Sequence, residues 1–404
     1  MGLAEQNQEY WASYSNLQRV KHDIIGNYLR GWFPKLTLGP NGAKKLLYID
    51  THAGRGTHFS GQLGSPLVAV RALTEHRNRD AILRNTKVHF YLIENDQENC
   101  DALKAELAAF TLPANVHVEA ETENCFEIIE QRLDELDQRK KPMTPSFIFV
   151  DPYGFKVPAR LLRKLLSHDR VEVFVNVMWR ELDMAIAQAN GVHTEVTLPR
   201  ARSLFDDDDG LESDYSKLER SLVSASERRE TFEKTMDIVF GGDSWRQIKA
   251  GTSEDRADEC AELLRKATGA RWGTSIRMQN LGRTRYFLLH LTNHPEGRKW
   301  MKDCIWKVCP SGEFTASKSD NPKQKTLIAV KPELNQLKEW VVSHLQSGDK
   351  QWSTLSDLLL EEIWLDKHLT DVIRALGKAK GIVSSTQKFF RNADPVLSLS
   401  RSYQ

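Results

Sequence analysis

Apolar and polar positions alternate in blocks along the first three quarters of the chain. Short apolar runs, typical of buried strands, occupy 46–49, 87–93, 116–120, 147–150, 171–179 and 285–292. Between them apolar residues recur at helical spacing, most clearly at 14–33 and 64–73. Strands that alternate with helices predict an α/β fold built on a Rossmann-like, doubly wound sheet, and the late strands are expected to run antiparallel to one another.

The first strand ends in Asp50, and the turn after it contains Gly54 and Gly56. Glycine lets the backbone turn sharply and lets a ligand approach where a Cβ would collide. The spacing Asp50-x-x-x-Gly54-x-Gly56 differs from the G-x-G-x-x-G of dinucleotide folds. It resembles the D-x-F-x-G-x-G opening of methyltransferases that use S-adenosylmethionine (SAM), with His52 in place of the aromatic residue. This resemblance implies SAM as the cofactor, with its methionine end in this turn.

The second strand also ends in an acid, Glu94, where a Rossmann-like fold holds ribose hydroxyls by bidentate hydrogen bonding. The interval between Gly54 and Glu94 is about twice the roughly 20 residues expected between the glycine turn and this acid in a compact nucleotide-binding unit. An insertion or a longer helix must therefore fill it. Alternatively, Glu94 caps the next helix. Asn95 follows Glu94, and Glu121 follows the third strand, where the methyltransferase arrangement meets adenine; for Glu121 a surface loop is the alternative.

The fourth strand is followed by Asp151, Pro152, Tyr153, Gly154 and Phe155. This turn resembles the D-P-P-Y motif of amino-group methyltransferases, although Tyr153 stands where the second proline would be. The motif implies that Asp151 and the carbonyl of Pro152 accept hydrogen bonds from a target amine while an aromatic ring stacks on the flipped-out base. The alternative is a helix start with an inward-packed aromatic residue.

The fifth strand contains Asn176, which needs a hydrogen-bond partner in an apolar strand. Trp179 and Arg180 follow and are predicted to reach the same rim as substrate-binding residues. In the first helix, the apolar pattern alone leaves Lys21 and His22 as solvent-facing or capping residues.

Composition and charge narrow the class of protein. The 404 residues have a net charge of +1, which argues against a uniformly basic nucleic-acid wrapper but allows a local basic face. The five cysteines form no C-x-x-C pair and lack clustered histidines, so no metal site is expected and free thiols in a reducing cytosol are favoured. The N-terminus does not resemble a signal peptide, and no apolar run could span a bilayer, so a cytoplasmic location is expected.

The C-terminal part is predicted to be a separate domain. We expect a Rossmann-like domain at 1–310 with a helical insertion at about 190–270, a linker at 311–332 rich in Ser, Lys and Pro, and a winged helix at 333–404. Three amphipathic segments, at 334–345, 352–363 and 367–380, precede a basic and aromatic wing. Its predicted nucleic-acid contacts are Arg374, Lys378, Lys388 and Arg391. A protein-binding winged helix with a solvated basic face is the alternative.

Several motifs in fixed order resemble one family, the three-Cys-motif partner proteins (TcmP). The matching stretches are Lys21-His22, Asp50 to Gly56, Gly64-Ser65-Pro66-Leu67, Ile93-Glu94-Asn95-Asp96, Asp151-Pro152-Tyr153-Gly154, Asn176-Val177-Met178 and Thr292-Asn293-His294-Pro295. The resemblance implies a methyltransferase-like core that works beside a radical-SAM-like companion with three cysteines, on nucleic acid. It also implies that Lys21, His22 and Ser65 line the pocket; Arg55, within the glycine turn, is a further candidate for substrate binding.

Three functions follow as hypotheses. The first is a SAM-dependent methyltransferase that acts on a nucleic-acid base. The second is a catalytically degenerate scaffold that binds DNA or RNA and presents it to the companion. The third is a metal-dependent nuclease that uses Asp50, Glu94, Asp151 and Lys156 around Mg²⁺, although that chemistry does not need the glycine turn.

Overall fold

The computed structural model describes residues 11–12, 14–190, 225–248, 252–320, 332–379, 381–384 and 393–400. The chain divides into two compact units. The first comprises Met1–Gly297 and Thr315–Lys323, and the second comprises Arg298–Phe314 and Gln324–Gln404.

The first unit is built around an eight-stranded sheet in the order β3-β2-β1-β4-β5-β7-β6-β8. Its strands are β1 Lys45–Asp50, β2 Lys87–Glu94, β3 Val116–Thr122, β4 Ser146–Val150, β5 Val171–Val177, β6 Trp272–Asn280, β7 Arg283–Thr292 and β8 Thr315–Ser317. β1 to β5 run parallel, whereas β7 is antiparallel to both β5 and β6. This mostly parallel order, which reverses direction between β1 and β4, is that of a Rossmann-like doubly wound sheet, and the predicted α/β fold class of the core is confirmed.

Helices connect the strands of this unit. Those described are α1 Asn16–Thr37, α2 Ser65–Thr74, α3 Arg79–Leu83, α4 Gln97–Ala108, α5 Cys125–Gln138, α6 Ala159–Leu166, α7 Trp179–Ala189, α8 Ala225–Phe240 and α9 Ser253–Thr268. The short helix α3 lies between α2 and β2 and accounts for the long interval between Gly54 and Glu94.

Two strands depart from the expected pattern. β6 was not expected because it is not a continuous apolar run; its signal is instead the alternation of buried and partly exposed side chains, which is typical of a strand with one covered face. β8 lies inside 311–332, the segment predicted as a linker, and pairs in parallel with β6. Part of that segment therefore belongs to the sheet.

A buried polar cluster fixes α1 to the sheet. The carboxylate of Glu172, in β5, accepts hydrogen bonds from Tyr28 Oη at 2.5 Å and Trp32 Nε1 at 3.1 Å, both from α1. His290 Nε2, in β7, lies 2.9 Å from Glu172 Oε2. At the other end of the helix, Ser15 and Gln18 form a capping box. These contacts determine where α1 places its polar residues.

The second unit contains α10 Pro295–Val308 from Arg298 onward, α11 Asn335–Gln346, α12 Trp352–Leu358 and α13 Asp366–Lys378. Its strands β9 Lys350–Gln351, β10 Ile382–Ser384 and β11 Val396–Leu399 form an antiparallel sheet in the order β10-β11-β9. The buried Lys302 donates to the carbonyls of Leu359, Glu362 and Trp364 at 2.7–2.9 Å. The winged-helix assignment stays a prediction.

None of the helices in the described part of the chain is long and apolar enough to cross a membrane.

Candidate functional site at the carboxyl edge of the sheet

A cleft opens where β1 and β4 end, at the point where the strand order of the sheet reverses. Open α/β sheets bind their ligands at such switch points. Among the predicted site residues, the cleft brings together Lys21, His22, His52, Gly54, Ser65, Asp151, Pro152, Tyr153 and Asn176. They come from α1, the turn after β1, the start of α2, the turn after β4 and the end of β5.

Asp50 lies fully buried at the end of β1. Tyr48 Oη donates to its carboxyl group at 3.2 Å, and the backbone N–H of His52 lies 3.3 Å from Oδ1. Burial raises the pKa of Asp50 from 3.8 to about 7; the hydrogen bond from Ser65 opposes this shift and the charge of Asp151 adds to it. The group is therefore an acid that titrates near neutral pH.

The glycine turn is bonded to Glu94. The N–H of Gly54, a residue with φ of +62°, donates to Glu94 Oε2 at 2.7 Å, and the N–H of Asp96 donates to Oε1 at 3.0 Å. Burial raises the pKa of Glu94, and these backbone hydrogen bonds oppose the rise. The hydrogen bond from Gly54 to Glu94 thus holds the turn after β1 next to the end of β2. A ligand that contacts both segments would need them to be this close.

The indole of Trp11 covers Gly54. A Cβ atom at position 54 would lie 2.5 Å from Trp11 Cη2, so only glycine allows this approach. The carbonyl of Trp11 accepts a hydrogen bond from the N–H of Phe59 at 2.9 Å. The ring centroids of Trp11 and His58 lie 4.8 Å apart. The corner that the sequence predicted to receive a ligand holds an aromatic ring of the chain itself.

Asp151 is held from two sides. Its Oδ2 lies 2.5 Å from Lys21 Nζ, and its Oδ1 accepts from Asn176 Nδ2 at 2.7 Å. Lys21 is only 5% exposed, so the solvent-facing position that the apolar pattern gave it is wrong. Burial of the lysine is possible because the carboxylate balances its charge.

His22 is also buried, at 7% exposure, and is likewise not the solvent-facing residue that the pattern suggested. Its Nδ1 lies 2.9 Å from Tyr14 Oη. Burial lowers the pKa of His22 well below 6.5, and the nearby Lys21 and His58 lower it further. The imidazole is therefore neutral near pH 7.

Other predicted residues lie away from the cleft lining. Trp179 begins α7 instead of ending β5, and its indole is buried in the core, where Nε1 donates a hydrogen bond to Ser253 Oγ at 3.0 Å. Phe155 also packs in the core. Both rings belong to the buried hydrophobic core rather than to the rim of the cleft.

The remaining candidates are not among the residues that line the cleft. Gly56 faces Leu103 of α4, and Glu121 accepts a hydrogen bond from Tyr91 Oη. Asn95 is exposed, and Arg180 is half-buried. The guanidinium of Arg55 stacks on the ring of Phe59, 4.5 Å from its centroid.

Sequence reasoning missed several residues that line the cleft, among them Trp11, Ser15, Gln18, His58, Met178 and Tyr286. Ser15 and Gln18 carry a capping-box signal, which could have placed the start of α1. Trp11 and His58 precede or interrupt the regular elements, so periodicity gives no signal for them.

In the second unit, Arg374 and Lys378 lie exposed one turn apart on α13. Lys388 and Arg391 lie outside the described residues. Among the residues described, no group of three His, Cys, Asp or Glu side chains could hold a metal ion, which leaves the nuclease hypothesis without a ligand cluster there.

No family model and no curated protein matches this chain. Solved structures with similarity include a putative caffeoyl-CoA O-methyltransferase from Staphylococcus aureus, 11% identical over 62% of this chain and 76% of that one, with a TM-score of 0.25. A putative O-methyltransferase from Klebsiella pneumoniae is 13% identical over 69% and 90%, with a TM-score of 0.29. PKMT2 from Rickettsia typhi in complex with AdoHcy is 13% identical over 66% and 52%, with a TM-score of 0.25. Such low scores carry no argument about activity.

Proposed function

We propose that this protein is a SAM-dependent methyltransferase that acts on an amino group of a nucleic-acid base, beside a radical-SAM-like three-Cys-motif companion. The observation that carries the proposal is the cleft itself. It places the glycine turn and the Asp151–Tyr153 turn side by side at the switch point of a methyltransferase-like sheet.

The residues at the glycine turn fit the cofactor. Gly54 lies against the Cζ2–Cη2 edge of the Trp11 indole, so the space beside it already holds part of a planar group. Once Trp11 moves aside, the space over Gly54 can receive the methionine end of SAM, as the resemblance of the glycine turn implies. Glu94, bonded to the turn, is then the acceptor for ribose hydroxyls, because each carboxylate oxygen holds one backbone donor and has a further lone pair.

The residues around Asp151 fit a target amine. Its oxygens accept from Lys21 and Asn176 and retain lone pairs for an N–H of the substrate. Tyr153 is 47% exposed and offers a ring face on which a flipped base can stack. SAM supplies an electrophilic methyl group, so the chain has to align the amine rather than provide a strong base.

Calorimetry with SAM and S-adenosylhomocysteine tests the cofactor directly. We expect binding with a rise in melting temperature, and about 10- to 100-fold weaker binding by Glu94→Gln, since a hydrogen bond to a charged group contributes roughly 1.5–3 kcal/mol. Glu119→Gln, which removes an exposed acid paired with His89, is the matched control and should bind as the wild type does. No binding by folded wild-type protein would end the proposal.

The scaffold hypothesis is the second candidate. It is favoured by two contacts, Trp11 over Gly54 and Lys21 on Asp151, because both fill positions that a cofactor and an amine would use. In this function the exposed Arg374 and Lys378 of a winged helix would hold DNA or RNA for the companion. Co-purification with the companion, with no transfer of labelled methyl groups from SAM to nucleic acid, is its expected outcome.

A further inference from the structure

The β6–β7 hairpin carries basic residues near the cleft. From 263 to 295 the chain has six Arg and Lys residues and no Asp or Glu, although Glu262 pairs with Arg265 and Lys266, and Asp258 pairs with Arg277, so acids just before this stretch compensate three of the six basic residues. Two of these residues, Arg283 and Arg285, lie in β7 next to the turn of the hairpin. A local excess of positive charge of this kind attracts phosphate.

The turn of the hairpin lies at the same edge of the sheet as the cleft. β7 is antiparallel to β5, and its Phe287 pairs with Val177, the last residue of β5. Tyr286, the preceding residue, lines the cleft. β7 then continues for three more residues, from Arg285 to Arg283, which at about 3.3 Å per residue is roughly 10 Å of strand beyond the cleft wall, and Leu281 and Gly282 form the turn.

Leu281 occupies the tip of this hairpin. Its side chain is 90% exposed, whereas the other exposed large apolar side chains in the described residues are 36–57% exposed. Its φ is +50°, and Gly282 beside it has φ of +73°. Leucine is unfavourable in this left-handed conformation, where asparagine is common. A leucine that is 90% exposed and held in a backbone conformation that leucine rarely adopts is a candidate for a role outside folding.

Proteins that distort duplexes insert apolar side chains between base steps and hold the backbone with basic residues. We propose that the β6–β7 hairpin inserts Leu281 into a nucleic-acid duplex while Arg283 and Arg285 contact the phosphates. This inference rests on the proposed function. The displaced base then reaches Tyr153 and Asp151 in the cleft. The substrate class is therefore double-stranded nucleic acid, because a base in a single strand needs no wedge.

The probe is a duplex with one 2-aminopurine, whose fluorescence rises when the base leaves the stack, prepared as DNA and as RNA. The main variant is Leu281→Asn, which suits an Asn-Gly turn and so preserves the hairpin. We expect it to bind the duplex but to lose most of the fluorescence rise, and Leu281→Phe to retain it. Arg283→Gln should weaken the binding of all duplex sequences alike. It should also reduce by about 1 the slope of the logarithm of the binding constant against the logarithm of the salt concentration.

Leu38→Ala is the matched control, since Leu38 is an exposed leucine at the opposite end of α1 from the cleft. It should behave as the wild type does. Equal fluorescence from Leu281→Asn and the wild type would overturn the wedge, as would the absence of any duplex binding at low salt. Cofactor calorimetry on the same proteins is independent of both results, so the proposed methyltransferase core can stand when the hairpin inference fails.

Discussion

At the scale of single residues, the cleft depends on charges that are buried and compensated. Lys21 can be buried because Asp151 accepts a hydrogen bond from its ammonium group and balances its charge. Asp151 also accepts a hydrogen bond from the side-chain amide of Asn176. Removing one partner of such a pair leaves the other charge without compensation, which is more damaging than replacing both. The three side chains therefore act together, although they come from α1, the turn after β4 and β5.

Asp50 makes the stability of the protein depend on pH. The folded chain keeps its proton up to about pH 7, whereas an unfolded chain releases it near 3.8. The stabilising contribution is thus full below pH 3.8 and is lost as the pH rises through 7. We expect Asp50→Asn to remove this loss, so that the variant gains on the order of 2–4 kcal/mol relative to the wild type between pH 4 and pH 8. Urea unfolding at both pH values measures it; parallel pH profiles would contradict it.

At the scale of elements, the buried Glu172 cluster sets the position of α1. Burial acts to raise the pKa of Glu172, but hydrogen bonds from His290, Tyr28 and Trp32 outweigh it and hold the pKa below 4.5. This contribution to stability is present above pH 4.5 and is lost as the pH falls through the lower folded value. Because α1 carries Lys21 and His22, the cluster also orients the cleft.

Glu172→Gln should lower the free energy of unfolding by about 1–3 kcal/mol at pH 7, since buried donors on α1 and β7 lose their charged acceptor. The difference should shrink as the pH falls below 4.5. Glu119→Gln removes the acid of an exposed pair with His89 and is the control, expected within about 0.5 kcal/mol of the wild type. Comparable losses in the two variants would argue against the cluster.

The sequence was informative where an element has a single strong pattern. The strands that end at Asp50 and Glu94 and before Asp151 are continuous apolar runs, so both their existence and their shared edge could be predicted. β6 has only alternate buried positions and was missed. Trp11 could not be placed at all, because its contact with Gly54 joins residues whose proximity no local pattern encodes.

At the scale of the whole molecule, each unit has a buried polar anchor of its own. In the second unit Lys302 donates to three carbonyls between 359 and 364. Lys302→Met leaves these carbonyls without their donor and should destabilise the unit by roughly 1–3 kcal/mol. Hydrogen exchange in peptides from α11 and α13 should become faster. Lys307→Met, which removes an exposed pair with Asp303 in the same helix, is the control; equal exchange in both variants would contradict the role of Lys302.

Because Trp11 and the proposed cofactor would occupy the same place over Gly54, the indole acts as an internal competitor. The apparent affinity for the cofactor is then the intrinsic affinity multiplied by the fraction of molecules in which the indole has left this corner. Whatever draws the segment of Trp11 away from Gly54 would therefore act as an activator without touching the cofactor.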